Sequence, residues 1–291
     1  MELRRVVLEP VKVTARKLGR ILDLLPIPQH WRVKLDLLKT LVQRDLEAKY
    51  KGSVLGNAWS ILNQLAQLLV YTYLFSIVLR VKLNLPGLPA NNFTFGLWMF
   101  AGLIPWIAFT GGLSGAAVSV IVQPNLIKKV VFPVALLPLV PICTAFVEST
   151  FGIVLLIAFV AFSSQVIHPT LWLFPLIWLP QLLFTAGLGY LVAALTVFLR
   201  DIPQTIAVLL NLWFYVTPIV YPASLIPEQW RFLVFWLNPM TTIVEIYRDL
   251  ALIGEVQHWQ EFGVLYGISV IVFAIGFVVY RKLRPAFADV V

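Results

Sequence analysis

Polar side chains that interrupt long apolar stretches are the chemically informative residues of this chain. The first apolar stretch, residues 56–79, carries amides and hydroxyls that recur at helical spacing and therefore share one face. Amides are costly in hydrocarbon, so this face must meet protein or a polar cavity. It could supply hydrogen bonds between helices, each worth about 1 kcal/mol, or form one wall of a translocation path. The polar face comprises Asn57, Ser60, Asn63, Gln64, Gln67 and Tyr71.

A lone carboxylate, Glu148, lies well inside the third apolar stretch, residues 134–162. A carboxylate within a membrane segment is a functional candidate by default. One carboxylate does not make a proton relay, however, and Glu148 could equally be neutral or paired.

Basic residues occur at two places beside the apolar stretches. Arg44, Lys49 and Lys51 precede the first stretch, where they could receive an anionic lipid head as point charges. Lys128 and Lys129 lie in a polar island between two apolar runs, residues 123–133 (Gln-Pro-Asn-Leu-Ile-Lys-Lys-Val-Val-Phe-Pro). These lysines predict that the island is cytoplasmic, as a simple loop among lipid headgroups or as a segment presented to a partner.

Several other chemistries are excluded by the sequence. It contains no Gly-x4-Gly-Lys-Ser/Thr phosphate loop, so this chain does not hydrolyse ATP by that route. His30, His168 and His258 are far apart, and we expect no metal site. Cys143 is the only cysteine, which excludes a disulfide framework. We therefore predict no catalytic residue and no cofactor in this chain, and any energy source must lie elsewhere.

The composition is that of a helical membrane protein with several spans. Hydrophobic residues make up 60% and charged residues only 12% of the chain, against about 25% charged residues in soluble domains. The 291 residues can hold six spans at roughly 20 residues each. The net charge is +8, but twelve of the 22 Lys and Arg residues fall in residues 1–55. This distribution favours an anionic membrane surface or lipid head over nucleic acid.

The pattern along the chain divides it into three parts. Residues 1–30 form a basic, proline-broken extension without the apolar core of a signal peptide. Residues 31–55 have one apolar and one charged face, which predicts an amphipathic helix in the membrane interface or a solvated helix packed on a partner. Residues 56–283 are predicted to form the six-span domain. Within them, residues 222–254 mix acids with aromatics and predict a re-entrant pair of helices at the outer surface.

Charge asymmetry predicts that both termini are cytoplasmic. By this assignment only four of the 22 basic residues fall outside, as expected when Lys and Arg accumulate on the cytoplasmic side. The four are Arg80, Lys82, Arg231 and Arg248.

Four stretches together resemble one family, the permease subunits of bacterial ATP-binding-cassette exporters of O-antigen, teichoic-acid or capsule type. Residues 44–59 (Arg-Asp-Leu-Glu-Ala-Lys-Tyr-Lys-Gly-Ser-Val-Leu-Gly-Asn-Ala-Trp) resemble the entry to the first span, and residues 125–133 resemble the coupling segment. Residues 199–202 with 217–221, and residues 237–239 with Tyr247-Arg248, resemble later landmarks in the same order. The resemblance covers roughly residues 35–284 and leaves residues 1–30 outside.

The resemblance implies a homodimer in the bacterial inner membrane, with the channel between two permeases. Each would dock on a separate ATPase subunit, present in two copies, which binds ATP and Mg²⁺. The cargo would be a polyprenyl-pyrophosphate-linked polysaccharide moving from cytoplasm to periplasm, and Arg44, Lys49 and Lys51 could receive its pyrophosphate. The residues expected to contact the ATPase are Arg44, Asp45, Tyr50, Asn125, Leu126, Ile127, Lys128 and Lys129.

A sugar polymer could slide past aromatic faces and amides without a tight binding site. Aromatics in membrane helices are more often packing residues or interface anchors. An exporter of drugs or lipids from the same superfamily stays open, as does an ion-coupled transporter or membrane enzyme that uses Glu148. The predicted channel residues are Asn63, Gln64, Gln67, Tyr71, Asn211, Trp213, Tyr215 and Tyr221, and the predicted outer gate comprises Trp230, Arg231, Asn238 and Pro239.

Overall fold

The computed structural model describes residues 28–56, 58–79, 92–127, 132–164 and 167–290. Helices joined by short turns make up this described part of the chain, in which no strand occurs. The prediction of an all-α protein is confirmed. The basic extension falls outside the described residues, apart from its last three positions.

Helix α1, Gln29–Lys49, is the amphipathic helix, and it packs against the third apolar helix. Pro28 precedes its first turn, where proline's fixed φ and missing N–H are tolerated. The helix ends before the predicted segment 31–55 does. Gly52 and Gly56 follow it with φ values of +84° and +51°, a left-handed backbone that glycine adopts at little cost. Residues 50–56 therefore turn the chain from α1 into the first apolar helix.

The apolar helices occupy the six places predicted for spans. Their bounds are α2 Ala58–Tyr71, which continues as a π-helix over Thr72–Val78, α3 Asn92–Val118, α5 Leu139–Ser164, α6 Phe174–Phe198, α7 Ile202–Val216 and α10 Trp259–Leu283. Two short helices are α4 Pro124–Ile127 and α11 Phe287–Val290. Helices α3, α5, α6 and α10 are long and apolar enough to cross a membrane. Because α2 and α7 are shorter, the count of six spans stays a prediction.

Helix α3 lies at the centre of the molecule. It is apolar on all sides and packs against α5 and α6, as expected of a helix that is buried all round. Helices α6 and α10 pack directly against each other. A Cβ atom built on Gly276 of α10 would lie 1.9 Å from the carbonyl oxygen of Gly187 on α6. Only two glycines allow the backbones to approach this closely.

The predicted outer segment contains two short helices, α8 Glu228–Trp236 and α9 Pro239–Arg248. A π-helix over Asp249–Ile253 follows and ends at Gly254, whose φ is +82°. Helix α9 is buried almost entirely and packs on α3, whereas α8 is largely exposed. The outer segment is therefore anchored through α9, while its re-entrant position in a membrane stays a prediction.

Candidate functional site

Glu148 is paired. Its Oε2 accepts a hydrogen bond from Lys49 Nζ at 2.6 Å, and its Oε1 accepts one from the Tyr50 hydroxyl at 2.9 Å. Ser60 Oγ donates in turn to the Tyr50 oxygen at 3.0 Å. The carboxylate is 15% exposed and the Lys49 side chain 50%. We call Lys49, Tyr50, Ser60 and Glu148 the inner cluster, which joins α1, α2 and α5.

Tyr50 donates to the carboxylate because its phenol stays protonated. Burial of the phenol and the nearby negative charge of Glu148 raise the pKa of Tyr50 above its usual value, although the Ser60 hydrogen bond and Lys49 oppose this. Lys49, one of the predicted pyrophosphate ligands, is thus already neutralised by Glu148. The other two predicted ligands, Arg44 and Lys51, are both exposed.

The polar face of α2 is divided by the structure. Ser60 and Gln64 are buried, and a Cβ atom built on Gly152 of α5 would lie 3.1 Å from Gln64 Oε1. Asn63 is exposed, while Gln67 and Tyr71 are half-buried. Asn57 falls outside the described residues. Part of this predicted channel wall therefore packs between helices, and among its described residues only Asn63 is exposed.

Helix α7 turns its predicted channel residues in two directions. Asn211 and Tyr215 are one turn apart and exposed, Tyr215 to 69%. Trp213 points inward, where its indole N–H donates to Asn238 Oδ1 at 2.8 Å and its ring packs edge-on against Phe109. Tyr221 follows the helix and donates its hydroxyl to the Tyr215 carbonyl at 3.0 Å.

An open cavity of about 370 Å³ lies between α7 and α8. Its walls are mainly apolar and include two indole rings and one amide. The cavity brings together one predicted channel residue and two predicted gate residues, which are 17 and 25 positions from it along the chain (230 − 213 and 238 − 213). The lining residues are Trp213, Val216, Trp230, Leu233, Val234, Leu237 and Asn238.

The other predicted gate residues shape the outer segment. Arg231 donates from Nε to the Ile226 carbonyl and from Nη2 to the Ser224 carbonyl, both at 2.9 Å. Asn238 caps α9, because its Oδ1 accepts from the Met240 N–H at 3.1 Å. Pro239 occupies the first position of that helix, where it needs no N–H partner.

Arg248 is the functional candidate that the sequence prediction missed. Its side chain is 1% exposed, and Nη1 donates to the Pro218 carbonyl at 2.8 Å and to Glu245 Oε1 at 2.9 Å. Nη2 donates to the Ile219 carbonyl at 2.9 Å, and the guanidinium carbon lies 3.4 Å from the ring centre of Trp98. Arg248 thereby ties α9 to α3 and to the turn after α7. The Tyr247-Arg248 landmark was the available signal.

Asp249 links the outer segment to the start of α10. Its Oδ2 accepts from the Gln257 N–H at 2.8 Å and lies 2.9 Å from His258 Nδ1. The His258 ring stacks on Phe235. Burial opposes the positive charge of His258, but the hydrogen bond and charge of Asp249 outweigh it, so that the pKa of His258 is raised above its usual value.

The predicted coupling segment, residues 123–133, is described only at its two ends. Asn125 is exposed on α4, and Leu126 and Ile127 pack on a cluster that contains Tyr190 and Tyr280. The predicted contacts Lys128 and Lys129 lie outside the described residues.

Just beyond the segment, Tyr280 and Tyr190 donate to the carbonyls of residues 134 and 135 at 3.0 and 2.9 Å. The segment is thereby anchored to α6 and α10. In the remaining predicted ATPase contacts, Arg44 is exposed and Asp45 half-buried on α1.

Comparison with known proteins gives one consistent result. The model of the family described as ABC-2 type transporter matches residues 36–252. An O-antigen export system permease protein RfbA from Myxococcus xanthus is 35% identical over 257 residues, which cover 87% of this chain and 94% of that protein. A protein of the same name from Klebsiella pneumoniae is 30% identical over 256 residues, covering 88% and 95%. The polysialic acid transport protein KpsM of Escherichia coli is 21% identical over 254 residues, covering 86% and 94%. The chain therefore belongs to the ABC-2 type transporter family.

Proposed function

We propose that this chain is the transmembrane subunit of an ATP-driven exporter that moves a polyprenyl-pyrophosphate-linked, O-antigen-like polysaccharide from the cytoplasm to the periplasm. The observation that carries the proposal is the identity of 30–35%, over almost the whole of their length, with proteins named as O-antigen export permeases. The chain is a transport subunit in this proposal. ATP and Mg²⁺ bind to a separate ATPase, of which two copies dock on a permease dimer in the inner membrane, with both permease termini in the cytoplasm.

The exposed face of α7 supports a homodimer with the channel between the copies. Asn211 and Tyr215 project from an apolar helix, and an amide facing lipid is costly. Asn63 presents the same problem on α2. When a second copy faces these residues across a hydrated path, their polar groups meet water instead of lipid. Their amides and hydroxyl then form hydrogen bonds with the hydroxyl groups of a passing glycan.

The outer cavity supports a place for sugar rings near the exit of the path. Trp213 and Trp230 contribute aromatic faces, and Asn238 contributes an amide that already holds Trp213 in place. Trp230 is 53% exposed and free to stack on a ring. In this proposal the outer segment forms the gate, and Arg248 holds that gate on the body of the protein.

The exposed basic residues Arg44 and Lys51 support recognition of the pyrophosphate at the inner surface. The half-exposed Lys49 can join them through its remaining N–H donors, although Glu148 already balances its charge. Charge-neutral substitution of Arg44 and Lys51, which leaves the Lys49–Glu148 ion pair intact, should lower export while the ATPase still docks. Unchanged export in that variant would refute the assignment.

Depletion of the protein tests the proposed function. Polyprenyl-pyrophosphate-linked glycan should accumulate on the cytoplasmic side and polymer should disappear from the surface, both measured by mass spectrometry. Re-expression of the unaltered chain should reverse both changes. Unchanged polymer on both sides would refute glycan export.

The apolar walls of the outer cavity favour a second candidate, an exporter of drugs or lipids. The two functions differ in their dependence on the aromatic residues of α7. Replacing Trp213 and Tyr215 by Leu should impair glycan export if these rings contact the polymer, and should spare it if the natural cargo is a small apolar molecule.

A further inference from the structure

We infer that Glu148 is a positioning residue that couples α1 mechanically to α5, so that movement imposed on α1 by an ATPase is passed to this apolar helix. The inference rests on the proposed function in one respect, namely that an ATP-hydrolysing partner moves α1. We call the contacts of Glu148 with Lys49 and Tyr50 the latch.

The latch joins the end of one helix to the middle of another. Lys49 is the last residue of α1 and Tyr50 follows it, while Glu148 lies in the third turn of α5, 99 positions after Lys49. The two carboxylate oxygens are used by different donors, Oε2 by Lys49 and Oε1 by Tyr50. Two bonds to one planar group restrain both the distance between the helices and the rotation of α1 about its axis.

The latch is also connected to the start of the first apolar helix, α2. Ser60 of α2 donates to the Tyr50 hydroxyl, and one turn further along both helices Gln64 of α2 packs beside Gly152 of α5. A pull on α1 therefore reaches α2 and α5 together. Because Glu148 is mostly shielded from water, its charge-assisted bonds are stronger and less screened than those of a surface pair.

Glu148 is suited to coupling better than to proton transfer. Within the described residues its carboxylate contacts only Lys49 and Tyr50 among titratable groups, and no second carboxylate continues a path from it. An ionised carboxylate beside an ammonium group is needed for the latch to hold, which gives a reason for a charge inside an otherwise apolar helix.

The test uses the full permease in complex with its ATPase, in a Cys143→Ser background. Lys49→Cys with Glu148→Cys removes the latch, and we expect surface polymer to fall at least tenfold while ATP hydrolysis stays within twofold of the unaltered complex. A short bifunctional thiol reagent should then restore export, because a covalent bridge replaces the ion pair.

Glu148→Gln and Lys49→Met should also lose export, and the exchange Lys49→Glu with Glu148→Lys should recover part of it. Glu47→Gln, which removes an exposed carboxylate of α1, should change nothing.

A second readout does not depend on the polymer. A fluorophore on Ile167→Cys, an exposed position beyond the outer end of α5, should report an ATP-dependent signal that Glu148→Gln abolishes and Glu47→Gln retains. If the unaltered complex shows this signal, Glu148→Gln abolishes it and no glycan is exported, the proposed function fails and the latch stands. If Glu148→Gln keeps both export and signal, or if the bridged variant hydrolyses ATP without export, the latch is refuted.

Discussion

Replacing Arg248 by Met should be among the most destabilising single changes in the outer segment. The guanidinium makes three bonds of 2.8–2.9 Å, two to backbone carbonyls and one to Glu245. A hydrogen bond to a charged group contributes about 1.5–3 kcal/mol, and removing one partner of a buried ion pair costs about 3–5 kcal/mol. We expect the free energy of unfolding to fall by about 3–5 kcal/mol. The equilibrium constant for unfolding would then rise by a factor of between about a hundred and a few thousand.

The assay is unfolding of the purified protein in detergent by increasing dodecyl sulfate, followed by circular dichroism. Arg231→Met is the matched control, because Arg231 lies nearer the surface and contacts only neighbouring carbonyls; it should cost about 1 kcal/mol. The double change Arg248→Met with Glu245→Met should be less harmful than Arg248→Met alone, since it leaves no unpaired carboxylate. A single variant within about 1 kcal/mol of the unaltered protein, or a double variant worse than the single, would refute this reasoning.

Three further predictions concern packing, pH and the inner surface. Gly276→Ala should lower the stability of detergent-purified protein by about 1–3 kcal/mol, because its Cβ would collide with the α6 backbone; Gly263→Ala on the same helix has open space and should be neutral or stabilising in the same unfolding assay. The raised pKa of His258 means that its contribution to stability is complete below about 6.5, the usual histidine pKa, and is lost as pH rises through the folded pKa. A thermal scan against pH should show this loss, and His258→Gln should flatten it. Tyr280→Phe removes the bond to the Val134 carbonyl; export per ATP hydrolysed should fall in proteoliposomes, and an unchanged ratio would argue against this anchor.

The fold was predictable where the evidence is local. Long apolar runs and their breaks placed the helices, because each span must satisfy its own backbone and present apolar side chains. Aromatic residues among the acids of residues 222–254 likewise indicated α8 and α9. The end of α1 was not predicted, since the predicted amphipathic segment runs to residue 55 while the helix ends at Lys49 and the backbone turns at Gly52.

The candidate site was predictable as a set of residues but not as an arrangement. Trp213 and Tyr215 are both aromatic residues of one apolar run, and both were predicted to line the channel. Because they are two positions apart on a helix, they point to different sides, and only packing decides which side is inside. The partner of Glu148 was equally hidden, because a contact across 99 positions leaves no periodic signal. Arg248 was assigned only as a basic residue on the outer side, and its burial depends on carbonyls that two other elements supply.

The separation of Lys49 from Glu148 also sets an order of biogenesis. When the ribosome has made α1, its acceptor has not been synthesised, and 99 residues must follow before the carboxylate emerges. During that interval α1 lacks its contact with α5, and its apolar face can rest on the membrane surface. Insertion of α5 then delivers Glu148, and the first half of the chain closes on the third apolar helix. Topogenesis of the N-terminal half is thus completed from its far end, and a truncation before α5 would leave Lys49 without its carboxylate partner.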